Sequence, residues 1–138
     1  MSKDASQDTQ EQAEFRSECR AWWKKNTPEK PPVRLPLTPV EIMSQEQMDY
    51  LQAWQKSAYD AGLIGCDYPE SVGGRGRTNC QRVANEEMMR AQTPQLPNVI
   101  GLGMAAPTVF YHGQECLKER LLPALFSGED IWCQGFSE

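Results

Sequence analysis

Few of these 138 residues could do covalent or acid–base chemistry, and their spacing limits what that chemistry is. The one histidine, His112, stands beside Gly113 at the end of a helical piece, with no serine, cysteine and acid arranged around it as a nucleophile motif. Its expected role is a dipole interaction in a last helical turn. Five cysteines, at 19, 66, 80, 116 and 133, make no C-x-x-C pair and are odd in number. Neither a disulfide framework nor a zinc site is expected from them, and they read as buried or half-buried thiols. Glu87 is a carboxylate on an apolar stripe, so it needs a partner or a proton. A di-metal carboxylate bundle would place a histidine three residues on, where Arg90 stands instead, and no metal is expected. An arginine or a helix N-terminus is the expected partner of Glu87. The run Gly73-Gly74-Arg75-Gly76-Arg77 invites a phosphate cradle. The pattern G-x-x-x-x-G-K-[ST] is absent and no strand precedes the run, which leaves structural turns. The spacing assembles no catalytic residue, nucleophile or metal site.

The elements that position these groups are mostly helical. Thr9-x-x-Gln12 is a capping box, and Phe15, Cys19, Trp22 and Trp23 share one helical face up to about Asn26, ahead of Pro28. Residues 28–39 hold five prolines and read as a stiff extended linker. Thr38-Pro39 offers a start that yields only a turn, and Ser44-x-x-Gln47 starts a helix running to about Ala61, with Gly62 beyond it. Residues 62–79 form a long glycine-rich loop that should pack as ordered structure. Thr78-x-x-Gln81 caps a third helix to about Ala91, with Cys80, Val83, Ala84 and Glu87 on its inner stripe. Residues 96–113 are uncharged and hydrophobic all round, which marks a buried segment. Gly101, Gly103 and Pro107 there predict two helical pieces and a tight region between them. A fifth helix over 114–129 carries Leu117, Leu121 and Leu125, and Pro123 should kink or split it. The tail DIWCQGFSE alternates like a strand. The fold class expected is all-α: a bundle of five to six helices with a long glycine-rich loop and one terminal strand.

Bulk properties narrow the function. The length suits one domain. A net charge of −5 argues against nucleic acid. The polar, acidic start, residues 1–8, reads as a disordered tail rather than a targeting signal, and no stretch approaches a membrane span. A cytoplasmic protein is expected.

The order of these signals resembles a known family. Trp54-Gln55-Lys56 and Ala61-Gly62 precede Tyr68-Pro69-Glu70 and Gly73-Gly74-Arg75-Gly76. Then come Glu86-Glu87 with Arg90-Ala91, Gly101-Leu102-Gly103, Pro107 and His112-Gly113. Last are Leu117-Lys118-Glu119-Arg120, Leu122-Pro123, Ser127-Gly128-Glu129 and Trp132-Cys133-Gln134-Gly135-Phe136-Ser137-Glu138. No single motif decides, but the ordered set is similar to the N-terminal helical domain of the acyl-CoA dehydrogenases, from about Phe15 to the last residue.

The resemblance implies an FAD enzyme that removes an α-proton and a β-hydride from an acyl-CoA thioester and passes electrons to an electron-transfer flavoprotein. It implies a helical domain followed by a β-domain and a C-terminal bundle carrying the glutamate base, in a homo-oligomer. On that pattern residues 9–129 are the helical domain and 130–138 the first strand of a middle domain not contained here. Gln134, Phe136 and Ser137 match residues at the flavin edge. Val99, Ile100 and Gly103 match the wall along the acyl tail. None of the glutamates matches the base, so this chain alone is expected to be inactive and to bind FAD weakly or not at all. The chemistry suits the assignment: a flavin edge wants backbone and hydroxyl donors, and an acyl chain wants an apolar slot with small residues in its wall. The alternative is a stand-alone helical module that pairs with a separate flavin-binding chain.

Overall fold

A computed structural model describes residues 7–136. Helix α1 spans Gln10–Asn26, α2 Gln45–Asp60, α3 Gln81–Arg90, α4 Ala106–His112 and α5 Glu115–Ser127. Helix α1 opens on the expected capping box: the Thr9 hydroxyl accepts from the Gln12 amide at 3.2 Å, and the Gln12 side chain accepts from the Thr9 amide at 3.0 Å. Ser44 caps α2 with its hydroxyl, which accepts from the Gln47 amide at 3.2 Å, while the Gln47 side chain accepts from the Met43 amide instead of closing a full capping box. Thr38 closes only a turn, its carbonyl accepting from the Glu41 amide.

Helices α1 and α3 pack side by side, α2 runs antiparallel to α5, and α4 folds back on α5. Phe15, Cys19, Trp23, Val83 and Ala84 fill the first interface, and Ala58, Leu122, Leu125 and Phe126 continue the core. Trp22, Trp23 and Trp54 cluster with ring centroids 4.8 to 5.7 Å apart, and Trp54 donates its indole N–H to the Pro94 carbonyl at 3.0 Å.

Four sequence expectations are corrected. Thr78 does not cap α3. The Asp67 carboxylate does so from the preceding loop, accepting from the Cys80 amide at 2.7 Å and the Gln81 amide at 3.1 Å. Residues 99–112 form one unbroken helical run rather than two pieces. A π turn over Gly101–Ala105 widens it, with the Ala106 amide reaching the Gly101 carbonyl just ahead of Pro107. Pro123 lies inside an unbroken α5. The start is ordered as far back as Asp8, whose carboxylate binds Arg16 and Arg82; residues 1–6 lie outside the described residues.

The tail also differs from expectation. Residues 130–136 carry no β-pairing, and no strand occurs among the described residues. A strand is defined by ladder bonds to a neighbour, and the described residues include no neighbouring strand to supply them.

The glycine-rich loop is ordered by its own backbone. Amides from Gly73 to Arg77 all donate to carbonyls of residues 66–70. None of those donors is free for a phosphate. A Cβ at Gly74 would stand 1.9 Å from the Tyr68 carbonyl oxygen, so this close return requires glycine.

Candidate functional site

Two adjoining clefts flank the helical run that begins at Val99. The first encloses about 450 Å³ between α3, that run and the loop after α2, with walls from Ile64, Tyr68, Met88, Leu96 and Phe126. The second encloses about 360 Å³ between the run, the segment before α2 and the tail, with walls from Val40, Ile42, Ile131 and Trp132. Among the described residues no charged side chain lines either one. Burial among Phe110 and Phe126 pushes the Tyr68 phenol above its ordinary range, so it stays neutral.

The residues singled out from sequence divide between these clefts. Gly103 lines the first, Ile100 the second, and Val99 both. Gln134 and Phe136 line the second together with Ile100, more than thirty residues away in sequence. Phe136 is 81% exposed, which leaves its ring at the open rim. Ser137 lies outside the described residues. The two glycines of the run serve different ends. A Cβ at Gly101 would meet the Asn98 side chain at 2.3 Å, whereas a Cβ at Gly103 would meet nothing within 4 Å.

Asn98 is the residue that sequence reasoning missed. It is fully buried, and its amide binds three backbone groups. Nδ2 donates to the Leu125 carbonyl at 2.8 Å and the Asp130 carbonyl at 2.9 Å, while Oδ1 accepts from the Trp132 amide at 2.9 Å. A signal was available: between Leu96 and Pro107 Asn98 is the only polar side chain, and a buried polar group requires partners.

The charged groups lie elsewhere. Glu87, 4% exposed, accepts from Arg20 at 2.8 and 2.9 Å and from Arg16 at 3.1 Å, with Arg90 nearby. Arg16 also binds Asp8 at 2.6 Å and Glu86 at 2.7 Å. Arg20's hydrogen bonds, aided by Arg16's and opposed by burial, hold the Glu87 carboxyl below its usual range. Glu87 therefore has the arginine partners its sequence context required, and it lines neither cleft. Burial pushes the Cys19 thiol up to about 12 and raises those of Cys66 and Cys80, so these three are not thiolates at neutral pH. Among the described residues no cluster of three metal-ligating side chains occurs.

The family model for the acyl-CoA dehydrogenase N-terminal domain matches residues 9–129. This chain belongs to that family. Acyl-CoA dehydrogenase IpdE1 of Mycobacterium tuberculosis is 36% identical over 94 residues, covering 67% of this chain and 24% of its own length. Acyl-CoA dehydrogenase FadE34 of the same organism is 33% identical over 84 residues, 61% of this chain and 12% of the relative. The dehydrogenase domain described here thus spans about a quarter of the length of IpdE1. Among solved structures, the ChsE4–ChsE5 complex from Mycobacterium tuberculosis superposes with a TM-score of 0.61 at 20% identity, over 88% of this chain and 29% of that one. The Tcur3481–Tcur3483 steroid ACAD variant gives 0.60 at 22% identity, over 88% and 30%. At those identities the likeness is one of fold: the five-helix arrangement is that of the acyl-CoA dehydrogenase N-terminal domain.

Proposed function

We propose that this domain forms one wall of the active site of an FAD-dependent acyl-CoA dehydrogenase, whose reaction is α,β-dehydrogenation of an acyl-CoA thioester. The observation that carries the reading is the second cleft, where Val99 and Ile100 of the acyl-wall segment stand beside Gln134 and Phe136 of the flavin-edge segment. These two sets are more than thirty residues apart in sequence. The wall they form is uncharged, as an acyl chain and an isoalloxazine face require.

The residues present suit those two ligands. The exposed Phe136 ring and the Gln134 amide lie where a flavin edge could be met, and bound FAD would supply the hydride acceptor. Val99, Ile100 and Gly103 would exclude water from the acyl chain. Among the described residues no carboxylate lines either cleft to serve as the α-proton base, and Glu87 is held ionised by arginines away from both. The base and most of the flavin site are therefore assigned to residues beyond these 138, with electron-transfer flavoprotein as the electron acceptor.

Assembly with further dehydrogenase subunits is part of the proposal. Leu37, Val40 and Met43 are 73 to 85% exposed near the second cleft, and an apolar edge of this kind favours association. The two structural neighbours are themselves named as two-component assemblies. A separate flavin-binding chain as the partner is the second reading, supported by that observation.

The test is to purify the whole protein that the reading frame encodes. Its flavin content and its acyl-CoA-dependent reduction of an artificial electron acceptor are then measured over straight, branched, aromatic and steroid-derived thioesters. The expected result is stoichiometric FAD and turnover of at least one class. A flavin-free whole protein with no oxidation of any thioester, alone or with a flavin-binding partner chain, would reject the proposal. The 138-residue chain alone should be colourless and inactive.

A further inference from the structure

We infer that Asn98, given room by Gly101, is a positioning residue that fixes the register of segment 130–132 against the helical run carrying Val99 and Ile100. In an extended chain the carbonyl of residue 130 and the amide of residue 132 project from the same edge. The Asn98 side-chain amide presents that edge with an N–H and a C=O, as a neighbouring strand would. It donates to the Asp130 carbonyl at 2.9 Å and accepts from the Trp132 amide at 2.9 Å. Its remaining N–H is anchored on the Leu125 carbonyl at 2.8 Å, in the last turn of α5. The three partners fix which end of the amide is which, because an exchanged orientation would set Oδ1 against two carbonyl oxygens.

Gly101 is the second part of the device. An added Cβ would fall 2.3 Å from Asn98 Oδ1 and 2.7 Å from Nδ2. Any side chain at 101 would push the amide off the tail.

Register matters because residues 131–134 and Phe136 all line the second cleft, with Trp132 also packed against the core. A slip of one residue would carry Trp132 off its core contact and put a different side chain at each cleft position now held by Gln134 and Phe136. That register serves the flavin edge only if the dehydrogenase reading holds; the clamp itself does not depend on it.

Amide hydrogen exchange by NMR on the 138-residue chain tests the clamp. In the wild type the Trp132 amide and both Asn98 side-chain N–H protons should be protected. In Asn98→Ala and in Gly101→Ala, protection of Trp132 should fall by about tenfold or more, the equivalent of one net hydrogen bond. Amides of α1 and α3 should not change, which separates the clamp from a general loss of stability. If both variants fail to fold, the wild type still decides: a Trp132 amide exchanging at the free-peptide rate overturns the inference. So does Gly101→Ala with Trp132 protection intact. The two readings fail separately. An unprotected Trp132 removes the clamp whatever the whole protein catalyses. A protected Trp132 in a whole protein that oxidises no acyl-CoA supports the clamp and removes the dehydrogenase reading.

Discussion

Replacing Glu87 with glutamine should destabilise the domain by about 2 kcal/mol at neutral pH. The magnitude comes from deciding which of its ion pairs is buried. Arg20 and Arg90 are 52% and 62% exposed, so each can return to water when the charge is removed, and their share is small. Arg16 is 10% exposed and cannot. It keeps Asp8 and Glu86, however, so the loss is that of one buried charge-assisted bond rather than of an isolated cation. At this chain length roughly 4 °C per kcal/mol predicts a fall in Tm of about 8 °C. Acid behaviour gives a second readout. The Glu87 carboxyl is held below its ordinary range by Arg20 first and then Arg16. A lowered folded-state value favours the folded form while the group is ionised. Its contribution is therefore whole above the unfolded-state pKa, near about 4.3, and is lost as the pH falls toward the lower folded value. Asp8 is likewise lowered, chiefly by its bond to Arg16. Burial alone would raise Glu86, but its bonds to Arg16 and Arg82 outweigh that, so some acid lability remains in the variant. Urea denaturation between pH 7 and pH 3 is the assay. Glu87→Gln should begin less stable and lose less on acidification. A variant within about 0.5 kcal/mol of wild type at pH 7, or one with an unchanged acid limb, would refute the account.

Other perturbations follow from single distances. Gly74→Ala drives a Cβ onto the Tyr68 carbonyl and should cost about 3 kcal/mol or more, seen as a lower urea midpoint. Asp67→Ala removes the carboxylate that caps α3 and should cost about 1–2 kcal/mol by the same measurement. Gly103→Ala should stabilise by about 0.5–1 kcal/mol, because the site is helical and a Cβ there meets nothing. Gly103→Leu projects into the first cleft. On the proposed dehydrogenase reading, it should lower the whole protein's kcat/KM for a ring-bearing acyl-CoA about tenfold relative to butyryl-CoA.

The helices were legible wherever a local pattern dictates them. Thr9 and Ser44 cap through their own side chains, and the periodicity of Phe15, Cys19 and Trp23 names the buried face of α1. What was misread depends on residues distant in sequence. The cap of α3 comes from Asp67, thirteen residues before Cys80, so the local pattern at Thr78 misleads. Pro107 and Pro123 are poor helix formers taken singly. Yet the π turn ahead of Pro107 and the packing of α5 against α2, α4 and the loop hold both in unbroken runs. Asn98 was passed over because composition marked its segment as apolar, and its partners lie at 125, 130 and 132. The contents of the clefts could be anticipated as small and apolar residues, but not the division into two, which follows from the tail crossing beside Ile100.

These features give the domain an ion-paired side and an uncharged side that carries the two clefts. Arginines and carboxylates of Asp8, Arg16, Arg82, Glu86 and Glu87 tie α1 to α3, and none of them lines the two clefts. On the other side uncharged amides do the fastening. The last carbonyls of α5 lack regular i+4 helical donors, and the Gly128 amide reaches Leu125 only at 3.3 Å. Gln55 reaches Leu125 and Phe126 from α2, and Asn98 reaches Leu125 from the run before α4. An arginine in either position would have met the same carbonyls, but it would have carried an unpaired charge into a dry region. An amide satisfies the carbonyls without bringing in a charge. Asn98 has the further advantage of an acceptor, which a cation lacks, and only an acceptor can hold the Trp132 amide. The choice of asparagine over a cationic donor at 98 is thus what lets one buried side chain both close the end of α5 and set the direction of the chain leaving it.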